Sequence, residues 1–252
     1  MIPRIVHYCW FGRNPKPKNI EKYIRGWKEI LFDYEFKEWN EENFDIENSI
    51  PYVKQAYAAE KYAFVSDYVR IYALYEYGGI YLDTDVEIMQ RFENYLEGKS
   101  LVTGFESDRS LLTAFIAADK NNSIIKEFFD SYQQRDFILK DGKLDLTPIN
   151  VGFSALMAQK GIDLDINEYQ ELPGGIAVYP IEIFCGFDVS NWHECMTKNT
   201  VMVHHMNASW VDGKGKLYFN TITFLQSILG YRTYDLLKKH YTNIKKRLIK
   251  RN

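Results

Sequence analysis

The feature that most constrains this chain is a helical run that stops on two glycines and passes into an apolar stretch ending in two aspartates. Within residues 56–77, Tyr62, Ala63, Val69, Tyr72, Ala73 and Tyr77 recur close to the 3.6-residue period, which predicts one long helix. Gly78 and Gly79 follow and supply the left-handed backbone that commonly ends a helix. The next residues, IYLDTDVEIM, predict a strand running into the loop that holds Asp83 and Asp85.

The same reading extends over the rest of the chain. Residues 5–12, IVHYCWFG, predict a first strand, the apolar spacing in 20–31 a helix, and residues 34–40 a second strand. Strand, helix, strand is the opening of an α/β sheet. Further strands are expected at 100–106, 111–118, 175–184 and 200–206, with helices at 123–132 and 151–160 and a polar loop at 133–148. No internal repeat or low-complexity linker interrupts the pattern, so one domain is expected over residues 1–235, followed by a basic amphipathic helix at 236–252.

With 252 residues and 46% hydrophobic content, the chain can bury a full core. A formal net charge of −3 gives no reason to expect a nucleic-acid partner. Cys9, Cys185 and Cys195 are too scattered for a disulfide framework or a zinc knuckle, which favours a reducing compartment. No signal-peptide pattern opens the chain and no apolar run approaches about 20 residues, so a cytoplasmic protein is expected. The 16% aromatic content suits stacking on bases or sugar faces, besides core packing.

On a strand, side chains alternate, so Tyr81, Asp83 and Asp85 are expected on one side and Leu82 and Thr84 on the other. Two converging oxygen ligands suit Mn²⁺ or Mg²⁺ with positions left open for a substrate's phosphates. Such an ion would neutralise the repulsion between the carboxylates and hold a diphosphate leaving group. The tripeptide alone reads equally well as a polar turn. An EF-hand loop is excluded, because its sixth position from Asp83 needs glycine and holds Ile88. Upstream, Ser66, Asp67 and Arg70 can share one helix edge. As a surface ion pair, Asp67 and Arg70 would contribute about 0.5 kcal/mol or less. Flanked by Val69, Ile71 and Tyr72, however, Arg70 is expected to be partly buried, and the cluster offers a polyol both acceptors and donors.

The blocks IPRIVHYCWFG, AAEKYAFVSDYVRIYALYEYGGIYLDTDVE and HHMNASW, in this order, resemble the DXD-containing sugar-transferase family. That family includes bacterial capsular-polysaccharide and lipopolysaccharide glycosyltransferases and yeast mannosyltransferases, and is more distantly similar to the glucosyltransferase domains of the large clostridial toxins. The resemblance implies a GT-A fold, an α/β sandwich with nucleotide-sugar binding over about residues 1–120 and the acceptor side and metal-histidine motif over about 121–215. It implies transfer from a nucleotide sugar, usually a UDP-sugar, to a saccharide or lipid-linked oligosaccharide acceptor with retention of configuration. Trp10, with Tyr8 beside it, would stack on the base. Ser66, Asp67, Arg70 and Tyr81 would hold the donor sugar. Asp83 would touch ribose or sugar and stand near the metal, and Asp85 would be the direct ligand. One histidine, His204 rather than His205, would complete the metal site, Ser209 and Trp210 would touch the diphosphate, and Asn150 would face the acceptor. Two other functions fit the same residues: a non-catalytic nucleotide-sugar or carbohydrate-binding module, and a nucleotide-sugar hydrolase.

The basic tail has two readings. Residues 236–252 carry Lys238, Lys239, Lys245, Lys246, Arg247, Lys250 and Arg251 among Leu236, Leu237, Ile244, Leu248 and Ile249. They form either a solvated helix end or a segment that lies on an anionic membrane surface. The membrane reading predicts co-sedimentation with anionic liposomes that is lost on removing residues 236–252. The solvated reading predicts no sedimentation of either form.

Overall fold

The β-branched and aromatic residues at 5–9 form the strand on which one half of the sheet is assembled. In the computed structural model, which describes residues 1–188 and 193–206, β1 (Ile5–Cys9) pairs in parallel with β2 (Glu35–Trp39) and β3 (Gly79–Leu82). Between β1 and β2, α1 (Lys18–Ile30) buries Ile20, Ile24 and Trp27. The Trp27 indole N–H donates to the Val86 carbonyl at 2.8 Å, which ties this helix to the chain just after the aspartates. Residues 207–210 and the tail 236–252 lie outside the described residues.

The long helix expected at 56–77 is two. α2 (Pro51–Ala58) and α3 (Tyr62–Tyr77) are separated by a turn in which Glu60 takes φ 56° and the Lys61 amide returns to the Ala56 carbonyl at 2.9 Å. The periodic residues behind the expectation, Tyr62 to Tyr77, all lie in α3, so the pattern marks that helix and not its extension back to residue 56. α3 lies against β1, β3 and β7 (Phe115–Ala118), and against α5 (Ser123–Ser131).

The two glycines after α3 are required by close approach as well as by backbone angle. Gly78 and Gly79 have φ 66° and 105°. A Cβ on Gly79 would lie 2.5 Å from the Ile5 carbonyl oxygen, and one on Gly78 would lie 2.5 Å from the Lys120 amide. His7 locks this junction from below. Its Nε2–H donates to the Gly78 carbonyl at 2.9 Å, and its Nδ1 accepts from the Trp39 indole at 3.2 Å. The Lys37 ammonium covers the pair, 4.2 Å from the Trp39 ring and 3.8 Å from that of Tyr77.

The strand expected to carry both aspartates ends at Leu82, and a short strand, β4 (Val86–Ile88), begins after them. α4 (Glu93–Leu96) and β5 (Leu101–Ser107) follow. The strand expected at 111–118 is divided into β6 (Ser110–Leu111) and β7, because Leu112 turns back to the Gly104 carbonyl at 2.8 Å. β7 runs antiparallel between β3 and β5. α6 (Ile149–Lys160) ends on the left-handed Gly161, and β8 (Gln170–Leu172) and β9 (Ile176–Tyr179) complete the sheet in the order β2-β1-β3-β7-β5-β9-β8, with β6 paired to β5. Residues 181–184, expected as strand, form the short helix α7 (Ile181–Phe184), entered through Pro180, whose fixed φ suits the residue before a helix. Two ladders stand apart from the main sheet: β10 (Phe187–Asp188) with β11 (His193–Glu194), and β12 (Met202–His204) with β4. The class is the expected one, α/β with a mixed central sheet flanked by helices.

Burial, with Lys37 nearby, lowers the His7 pKa to about 4, although the Gly78 hydrogen bond opposes the shift. Because the folded value lies below the unfolded value near 6.5, this neutral imidazole stabilises the fold fully above pH 6.5. That contribution, roughly 3 kcal/mol, is lost as pH falls toward 4. Protonation would also turn Nδ1 into a donor facing the Trp39 donor. Urea melts at pH 7 and 4.5 should therefore show a smaller pH-dependent loss of stability for His7→Gln than for the native chain.

Candidate active site

Arg70 is the centre of the site. Its position on the inner face of α3, among buried Val69 and Ile71, leaves it 5% exposed. Nη2 donates to Asp67 Oδ1 at 2.8 Å and lies 3.2 Å from Asp83 Oδ1, while Nη1 donates to the Thr113 carbonyl at 2.8 Å. The guanidinium also sits 4.6 Å from the centroid of the Tyr81 ring, and the Tyr81 hydroxyl donates to Asp83 Oδ1 at 2.9 Å. Asp67 and Arg70 are thus a buried pair and not a surface one. Burial pushes the Asp67 carboxyl up against the pull of Arg70. Burial would lower the Arg70 pKa, but Asp83, Tyr81 and Asp67 together raise it. The Ser66 hydroxyl donates to the Tyr62 carbonyl at 3.1 Å and stands beside Cys9, which adjoins Tyr81.

Asp83, Thr84 and Asp85 form a turn, closed by the Val86 amide to the Asp83 carbonyl at 3.1 Å. Strand alternation therefore does not aim the two carboxylates. The turn and the β4–β12 ladder do so. That ladder sets His204 opposite Val86, and the His205 amide donates to the Asp85 carbonyl at 3.0 Å. His204 Nε2 lies 3.4 Å from Asp85 Oδ1. Ligand atoms of Asp83, Asp85 and His204 all lie within 4.8 Å of one another, and two carboxylates with one imidazole fit a divalent cation. Burial alone would lower the His204 pKa, but Asp85 outweighs it and raises the value well above the usual range. His205 faces the other way, stacked on Tyr23 at 4.8 Å with Nε2 2.9 Å from Glu87.

The other expected residues divide. Trp10 follows β1 at the sheet's carboxyl edge, half-buried, its indole N–H on the Asn14 carbonyl at 2.6 Å and the Lys16 ammonium 5.6 Å from its ring. Its loop is fastened by the Gly12 amide to Glu41 at 2.6 Å. Tyr8, in contrast, packs edge-on against Trp27 at 5.7 Å within the core. Asn150, at the start of α6, bonds Glu106 at 2.9 Å and Ser110 at 3.0 Å. Ser209 and Trp210 lie outside the described residues. Glu106 was missed from sequence. Its carboxylate is 3.7 Å from His204 Nδ1, and burial raises its pKa, with His204 and Asn150 opposing. The available signal was a glutamate directly after the buried run Leu101–Phe105.

Removing Arg70 would leave the buried Asp67 and the half-buried Asp83 without their cation. Arg70→Gln is expected to cost about 3–5 kcal/mol of stability in urea unfolding, and Asp67→Asn, which leaves Arg70 paired with Asp83, less than half as much.

Residues 17–102 match the family model described as "Glycosyltransferase sugar-binding region containing DXD motif". Inositol phosphoceramide mannosyltransferase 3 of Schizosaccharomyces pombe (strain 972 / ATCC 24843) is 36% identical over 91 residues, covering 34% of this chain and 24% of the relative. An uncharacterized glycosyltransferase of Acanthamoeba polyphaga mimivirus is 31% identical over 101 residues, 38% of this chain and 40% of the relative. The chain thus aligns with well under half of the length of either relative. Among solved structures, the PaToxG glycosyltransferase superposes with a TM-score of 0.46 and 21% identity over 64% of this chain and 69% of that one. The segment of this chain that is similar to the DXD-containing sugar-binding region, residues 17–102, contains Asp67, Arg70, Asp83 and Asp85.

Proposed function

We propose that this chain is a retaining glycosyltransferase with a GT-A-like nucleotide-sugar site. It moves a hexose from a nucleotide sugar, of the UDP-sugar class, to a saccharide or lipid-linked oligosaccharide acceptor in surface-polysaccharide synthesis. The observation that carries this reading is the convergence of Asp83, Asp85 and His204 beside the Asp67–Arg70 pair, with the two aspartates and the pair inside the segment that matches the family model. The name of the fission-yeast relative, an inositol phosphoceramide mannosyltransferase, favours hexose transfer and a lipid-borne acceptor.

Mn²⁺, or Mg²⁺, held by Asp83, Asp85 and His204 would supply charge stabilisation to the departing diphosphate. The chain's own residues do the rest. Asp67 presents a buried acceptor to a donor hydroxyl, and Arg70 fixes both Asp67 and Asp83 in place. Trp10 offers the nucleobase a ring on a loop anchored by Glu41. The acceptor hydroxyl attacks the anomeric carbon as the carbon–phosphate-oxygen bond breaks, and its proton passes to the leaving phosphate on the same face. Asn150 and the first turn of α6 face the acceptor. Among the described residues, no helix is long and apolar enough to cross a membrane. In this reading the enzyme works in the cytoplasm, or at the inner face of the membrane through residues 236–252.

A thermal-shift panel of nucleotide sugars with and without Mn²⁺ identifies the donor. At about 100 times its dissociation constant, a donor should add about 2.7 kcal/mol of stability. Asp85→Ala should lower transfer by about 10²–10³-fold. Full activity of that variant with Mn²⁺ rules out the metal assignment. Release of nucleotide without glycoside formation across supplied acceptors favours the hydrolase, and binding without turnover favours the non-catalytic module.

A further inference from the structure

Glu106 lies between the two halves of the site and belongs to neither recognised motif. It follows the buried residues Leu101–Phe105 of β5, and its side chain is 15% exposed. Its two oxygens face different partners. Oε2 accepts from the Asn150 amide at 2.9 Å, and Oε1 lies 3.7 Å from Nδ1 of His204. That ring nitrogen is buried and has no hydrogen-bond partner, while Nε2 of the same ring faces Asp85 at 3.4 Å. The Cys185 thiol also influences the ring, but it donates to the Phe187 carbonyl at 3.1 Å. Of the two groups beside the ring, the Cys185 sulfur is a weak acceptor and the Glu106 carboxylate, 3.7 Å from Nδ1, the stronger one for an Nδ1–H.

An imidazole that ligates a cation through Nε2 must be neutral, with its proton on Nδ1. A buried N–H needs an acceptor. Ligating histidines elsewhere meet this need with a carboxylate or carbonyl behind the ring, which fixes tautomer and orientation. We propose that Glu106 is the positioning residue of His204. Its Oε1 takes the Nδ1–H and holds the ring with Nε2 toward Asp83 and Asp85, and its Oε2 ties this unit to Asn150 at the start of α6. The Nδ1–Oε1 separation is 3.7 Å, and the proposal requires the two groups to close to hydrogen-bond distance when the ring ligates. The proposal rests on the metal-site reading above. It also gives that site a mechanical connection to the acceptor side, since any shift of α6 moves Asn150 and, through Glu106, the ring. Both carboxylate oxygens face protein groups, so Glu106 acts through His204 and not on the substrate.

The test uses the full chain with Mn²⁺ alone, bound Mn²⁺ being read from loss of the free-ion electron paramagnetic resonance signal. Glu106→Ala should weaken Mn²⁺ binding about 10–100-fold. Glu106→Gln keeps an acceptor oxygen, and its new amide can donate to Asn150 Oδ1, which is buried without a partner. It should therefore restore affinity to within about threefold of the native chain. A second arm needs no metal. At a pH where the His204 ring is neutral, ¹⁵N spectra should move toward the Nε2–H tautomer in Glu106→Ala and stay native-like in Glu106→Gln. Native Mn²⁺ affinity together with a native tautomer in Glu106→Ala overturns the proposal. So does a folded Glu106→Gln that binds Mn²⁺ normally but has lost transfer, because Glu106 would then be a reacting group. If the native chain binds neither Mn²⁺ nor Mg²⁺, the metal reading fails, and the tautomer arm still decides whether Glu106 positions His204.

Discussion

The buried guanidinium of Arg70 is the interaction on which the rest of the site depends. It joins its own helix through Asp67, the turn after β3 through Asp83, and the loop between β6 and β7 through the Thr113 carbonyl. A charge so far from water is tolerated only when several partners surround it. That requirement brings three segments, distant in sequence, to one point at the carboxyl end of β3. It also separates the two aspartates in role. Asp83 is neutralised within the protein by Arg70 and Tyr81, whereas Asp85 faces His204, on the side where a cation fits.

Around this centre the backbone is held closely. The Gly78–Gly79 junction allows the chain to pass within contact of Ile5 and Lys120, and His7 bonds the junction to β1 and β2. β3 is therefore fixed against the strand that carries the Trp10 loop, so the Trp10 ring and a carboxylate cluster share one edge of the sheet. Such an edge, outside the carboxyl ends of parallel strands, is where α/β folds bind ligands. The site itself is rich in negative charge. Asp67, Asp83, Asp85 and Glu106 are set against Arg70 and His204, an imbalance that favours a divalent cation and, through it, a diphosphate.

The parts of this protein that were legible in its sequence are those fixed by local chemistry. The apolar spacing of residues 20–31 marked α1, and the β-branched and aromatic run at 5–9 marked β1. The helix-ending glycines and the buried surroundings of Arg70 were also visible in one dimension. From these alone followed the α/β class, the Asp67–Arg70 pair and the Asp83–Asp85 pair, because each rests on neighbours within a few residues.

Tertiary structure decided the rest, for a physical reason common to every departure. Whether 83–85 is strand or turn depends on what β3 and β4 pair with, and β4 pairs with β12 far down the chain. Leu112 leaves the strand pattern because Gly104 captures its amide, which frees the Thr113 carbonyl for Arg70. Tyr8, on the strand beside Trp10, is taken into the core by Trp27, a contact that its own sequence neighbours do not announce. Glu106 gains its meaning only from His204 and Asn150, which no local pattern connects to it. Sequence determines which side chains are available, which segments are helical or extended and which ion pairs form within one helix; only the long-range pairing of strands determines which distant groups join them.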